Sequence, residues 1–245
     1  MRHLMHMTAP GWLVLYASIL AAWAALWLAA ADPAAVDAPL AWLAEICRAA
    51  PTAQGWPGLF AMWLLMSAAM MLPTALPAFA TYDQVADAHG LGGGGALVAG
   101  YAAVWAGFSG LAALAQVALA ATGLLDAAGR AVPALGATLL ILAAVWQVTP
   151  WKAACLTRCR QPLTFFMERW DDGPWRMGLR LGAVCLGCCW ALMLLAFAGG
   201  VMSLGFMALA TILMTAEKLS ASDRLTHSIA LGCLAAAGYL IGGYV

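Results

Sequence analysis

Seven stretches of this chain are apolar over lengths that reach or approach the roughly 20 helical residues needed to cross a hydrocarbon core. They lie near 11–31, 58–82, 96–125, 131–148, 177–198, 201–215 and 227–245. A chain patterned this way cannot hide so much apolar surface in a water-soluble core, and 65% hydrophobic against 9% charged residues lies well outside the soluble balance. The expected fold is an all-α polytopic membrane helical bundle, one integral domain over 1–245, with about seven transmembrane helices and six as the alternative. The count turns on the Gly199-Gly200 pair, which makes either a tight turn or a kink between spans five and six.

Charge favours the turn. With seven spans, nine of the eleven Lys and Arg fall on one side, leaving only Arg48 and Arg130 on the other. Basic residues collect in cytoplasmic loops, so the N terminus and the 149–176 loop are expected in the cytoplasm and the C terminus outside. The first run follows Arg2 and is longer than the apolar part of a secretory signal, which makes it a retained anchor. In the outer segment, "PLAWLAEICRAA" at 39–50 suits a short interfacial helix with Trp42 at headgroup level. The glycine-rich 90–100 stretch lacks the Lys-Ser/Thr of a phosphate loop and reads as a hinge into the third span. Net charge is zero and no basic patch is interleaved with aromatic residues, so nucleic acid is not an expected partner.

The chemistry concentrates in sulfur. In "VCLGCCWALM", Cys185, Cys188 and Cys189 fall within about 100° of one helix face, a single thiol patch in the fifth span. Met66, Met70 and Met71, in "MWLLMSAAMMLP", reach a comparable depth in the second span, just before Pro73 and Pro77 interrupt it. A second pair, Cys155 and Cys159 in "TPWKAACLTRCRQP", stands at i, i+4 in the 149–176 loop, flanked by Lys152, Arg158 and Arg160, cations that favour thiolate. Of the other candidate ligands, Cys233, His3, His6, His89 and His227 fall on the cytoplasmic side and Cys47 outside. Thiolate and thioether donors select soft ions, copper(I) first, with zinc the alternative. Two plain readings stand beside this one. Small apolar cysteines pack well at helix contacts, and methionines commonly fill gaps in a bundle core.

These motifs resemble those of a bacterial family of predicted metal-binding integral membrane proteins of unknown function. Its pattern runs W..M..AMM.P, Q.TP.K..CL..CR.P, C.GCCW.LM and a late Glu-Lys, matched here at 63–73, 147–162, 185–193 and 217–218. The resemblance implies that Cys155, Cys159, Cys185, Cys188, Cys189, Met66, Met70 and Met71 belong to shared elements of a metal-handling protein of the bacterial inner membrane.

Three functions are open at this point. The first is a soft-metal binder for handling, insertion or transfer, with the lipid bilayer and a metal carrier or other membrane protein as partners. The near absence of carboxylates at depth weighs against coupled pumping. The second is a non-catalytic assembly subunit packing through small-residue faces. The third is a thiol oxidoreductase using Cys185 and Cys188 as a CxxC pair, which a reducing cytosolic side disfavours. No catalytic residue is expected.

Overall fold

The computed structural model describes residues 9–30, 51–88, 92–126, 129–201, 203–220 and 222–243. The interfacial helix expected over 39–50, with Trp42 and Cys47, lies outside the described residues, as do His3, His6 and His89. Among the described residues the fold is an all-α bundle with no sheet.

Five of the described helices are long and apolar enough to cross a membrane. They are α1 (Ala9–Ala30), α2 (Pro51–Ala88, broken at Gly55, φ 64°, with the span running from there), α3 (Gly94–Ala121), α7 (Pro174–Leu194, continued by the four-residue α8, Ala196–Gly199) and α10 (Arg224–Gly242). The expected fourth span is a shorter helix, α4 (Pro133–Gln147), bent by 65° into α5 (Pro150–Arg160); counted as one broken span, the pair makes six. The expected sixth span is α9 (Leu204–Leu219), whose 16 residues extend only about 24 Å. The 149–176 segment is largely helical: α5 is followed by α6 (Pro162–Met167) and a 3₁₀ turn at Trp170–Asp172. The glycine-rich hinge is likewise shorter than expected, because helix α3 already runs from Gly94.

Local chemistry explains the bends. Pro150 has no N–H with which to continue α4, and the Thr149 hydroxyl caps the new helix by accepting from the Lys152 N–H at 3.2 Å. In α2, Pro73 leaves the Ala69 carbonyl without its helical donor, and the Trp23 indole N–H from α1 supplies one at 2.9 Å. At Gly200 the backbone enters the left-handed region (φ 91°) and the chain reverses into α9, the turn that the charge count favours.

Contacts fix the helix directions. Trp63 pairs with Gln116 and Ser67 with Ser109, so α2 and α3 are antiparallel. The backbones of α3 and α7 run parallel and touch where side chains are missing. A Cβ on Gly178 would strike the Leu97 carbonyl, one on Gly100 the Trp175 carbonyl, and one on Gly182 would lie 2.9 Å from Val104. Gly178 and Gly182 have the small-xxx-small spacing that lets helices approach closely in an apolar medium. That approach sets Tyr101 of α3 against Cys185 of α7. The other side of α7 carries α4 and α5, anchored where the Trp146 indole donates to the Gly187 carbonyl at 3.1 Å.

Candidate metal centre

Cys185, Cys188 and Cys189 share the buried face of α7 within about one helical turn, each 2% exposed. Their sulfurs all lie within 4.8 Å of one another. Cys188 Sγ is 3.2 Å from Cys189 Sγ and also points back to the Cys185 carbonyl at 3.1 Å. The shared face expected from helical periodicity is therefore one cluster of soft donors.

The second thiol pair is not a separate site. Helix α5 packs across α7 and brings Cys159 Sγ to 3.9 Å from Cys188 Sγ. Cys155, one turn earlier and half-buried, lies over Gly187, where a Cβ would come within 2.7 Å of its sulfur. So the i, i+4 spacing presents both thiols to α7, and Cys159 reaches the cluster.

Two of the three flanking cations, Lys152 and Arg160, are engaged elsewhere. Lys152, fully buried, places its ammonium 2.9 Å from both carboxylate oxygens of Glu217 on α9, with Gln147 as a third partner. Arg160 bonds Asp223 at 2.9 Å and the Glu217 carbonyl at 3.1 Å. The cation at the thiols comes instead from Lys218, the residue after Glu217. Its Nζ is 3.1 Å from Cys185 Sγ and donates to the Thr74 hydroxyl at 2.6 Å. Consecutive residues of a helix point about 100° apart, so the last turn of α9 serves the buried ion pair with one side chain and the thiol cluster with the next.

On the α2 side, the Tyr101 hydroxyl stands 3.1 Å from Cys185 Sγ and donates to the Met71 carbonyl at 3.1 Å. Met66, Met70 and Met71 are all buried in the core. One link from this stretch to the cluster runs through the Met71 carbonyl and Tyr101. Cys233 is buried on α10, and His227 is exposed with its ring nitrogen on the Asp223 carbonyl at 2.7 Å.

Tyr101 and Lys218 are the participants that sequence reasoning missed. Lys218 belongs to the late Glu-Lys element but reads there as one more positive-inside charge. Tyr101 is the sixth residue of the apolar run 96–125, directly after the glycine-rich stretch, and carries no ligand motif of its own. Chemically, the assembly offers several buried soft sulfur donors, the hydroxyls of Tyr101 and Thr74, and one ammonium. That donor set suits a soft monovalent ion.

Residues 60–241 match the copper chaperone family PpoB2. The chain belongs to the PpoB2 copper chaperone family. The matched region holds every thiol of the cluster together with Tyr101, Lys218 and the Lys152–Glu217 pair, and leaves α1 outside. Copper handling is thus the family's theme, more specific than the metal binding that the motifs implied. No curated protein and no solved structure matches the chain.

Proposed function

We propose that this protein is a copper(I) chaperone embedded in the bacterial inner membrane, holding its cargo ion at Cys185, Cys188 and Cys189 and passing it to a metal carrier or membrane cuproprotein. The observation that carries this reading is the approach of three buried sulfurs to within 4.8 Å of one another in a chain of a copper chaperone family. Cys159 is the fourth thiol within reach and Cys155 a waiting donor beside it, while Met66, Met70 and Met71 are thioether donors in reserve. Copper(I) with two thiolates carries one net negative charge, which is costly in an apolar interior. Lys218 supplies the balancing charge, so the site can be neutral when loaded. Zinc(II) with four thiolates would retain two negative charges against the same single lysine, which makes copper the better fit.

In this reading the basic end of the bundle, with the 149–176 segment and the mouth of the site, faces the cytoplasm, and the C terminus lies outside. The nine-to-two distribution of Lys and Arg supports that orientation. The experiment is copper analysis of protein purified in mild detergent under reducing conditions with copper(I) supplied. Wild type should bind stoichiometric copper, and Cys188→Ser with Cys189→Ser should lose it while keeping native helicity and elution. Full copper content in that double variant would reduce the cluster to helix packing, and the assembly-subunit reading would replace this one.

A further inference from the structure

A cavity of about 150 Å³ opens onto the cluster between α2, α5, α7 and α9. Cys159 and Cys185 contribute sulfur to its wall, Thr74 and Tyr101 hydroxyls, and Arg160 and Lys218 positive charge. Among the described residues no Asp or Glu lines it. The two cations differ in what they have left to offer. Arg160 is held by the Asp223 carboxylate and the Glu217 carbonyl. Lys218 is held by a hydroxyl and a sulfur, while the adjacent carboxylate, Glu217, is committed to Lys152. Helix α2 forms the facing wall at Thr74, Ala75, Pro77 and Ala78.

A pocket that ends in thiols, has no carboxylate in its lining and carries a lysine held only by a hydroxyl and a sulfur is built for an anion that brings a soft metal. We infer that copper(I) enters this site as the complex of a small carboxylate-bearing thiol, whose carboxylate pairs with Lys218 while its sulfur-bound copper meets Cys185. This inference rests on the thiol-site reading above and adds the chemical class of the donor. The volume suits a molecule of three or four carbons with its thiol and carboxylate, not a folded protein domain. Transfer is ligand exchange: the bond from copper to Cys185 sulfur forms as the bond to the carrier sulfur breaks. The proton of the Cys185 thiol leaves on the departing carrier thiolate, and copper stays monovalent throughout.

The test uses full-length protein in detergent and two carriers of nearly equal size, copper(I) complexed with 3-mercaptopropionate and with 3-mercaptopropionamide. Wild type should take copper on the order of tenfold faster from the carboxylate carrier, the scale of electrostatic steering by one charge pair. Lys218→Gln should bring the ratio of the two rates close to one, and Lys218→Arg should keep it high; using a ratio cancels any general loss of uptake. A measurement independent of any variant is competition, in which propanoate slows uptake from the carboxylate carrier and propanamide does not. Equal rates from both carriers in wild type, a preference that survives Lys218→Gln, or indifference to propanoate overturns the inference. Those outcomes leave copper bound, whereas failure of the thiol-site reading shows as no copper taken from either carrier.

Discussion

Replacing Glu217 with Gln should destabilise the protein far more than the loss of one exposed ion pair would. Lys152 and Glu217 have side chains 1% and 3% exposed, and the ammonium lies 2.9 Å from both carboxylate oxygens. The amide would keep the volume and could still accept a hydrogen bond, but it would leave the Lys152 charge uncompensated where water does not reach. Breaking one side of a buried pair costs about 3–5 kcal/mol. At about 2–4 °C per kcal/mol for a chain of this size, the expected fall in melting temperature is on the order of 10 °C. Thermal unfolding in a single detergent, followed by far-UV circular dichroism, reads that shift. Lys152→Met together with Glu217→Gln removes the orphaned charge and should recover most of the loss, giving a coupling of opposite sign to the single effects. If Glu217→Gln costs less than about 1 kcal/mol, or if the double variant is simply the sum of the singles, the pair is hydrated and the closed packing of α5 against α9 is wrong.

Gly187→Ala should push α5 off α7, since the new methyl would meet Cys155 sulfur at 2.7 Å; overpacking of this kind costs about 1–3 kcal/mol, and copper affinity should fall with Cys159 drawn back, an effect absent if titrations of variant and wild type coincide. Met70→Leu with Met71→Leu conserves volume and should weaken copper binding less than the cysteine pair does, measured by competition with a copper(I) chelator; an equal loss would make the thioethers primary ligands. A reporter fused after Val245 should be active outside the cytoplasm, and activity only inside would reverse the proposed sidedness of the thiols.

Legibility in the sequence followed interaction range. The face shared by Cys185, Cys188 and Cys189 needs only 100° per residue, and the structure has it. The Gly199-Gly200 reversal was open from local chemistry and settled by charge count, because only a turn keeps Lys218 and Arg224 with the other cations. What stayed hidden required knowing which helices touch. Cys155 and Cys159 read as a second site because nothing within 149–176 reveals that α5 lies across α7. Lys152 read as a loop cation because its carboxylate partner is 65 residues away. The sixth run is short already in the sequence, at 201–215, and α9 is correspondingly only 16 residues long. The close passage of α3 along α7 was written in Gly100, Gly178 and Gly182, but glycine spacing on one helix does not say which neighbour will use it.

Of the four sulfurs that meet at the centre, three are carried by one continuous helix and the fourth by a helix with proline at its first position, another just beyond its end, and a 65° bend behind it. The two kinds of attachment have different stiffness. Three donors on α7 share one backbone, like teeth cut in one bar, whereas Cys159 is placed by the separate helix α5. A cargo ion held by both could therefore lose one ligand without the other three being rearranged, and coordination number becomes a mechanical variable. Lys152 with Glu217 ties α5 to α9, so a partner that loosened that pair would be acting on the ion from outside its coordination shell.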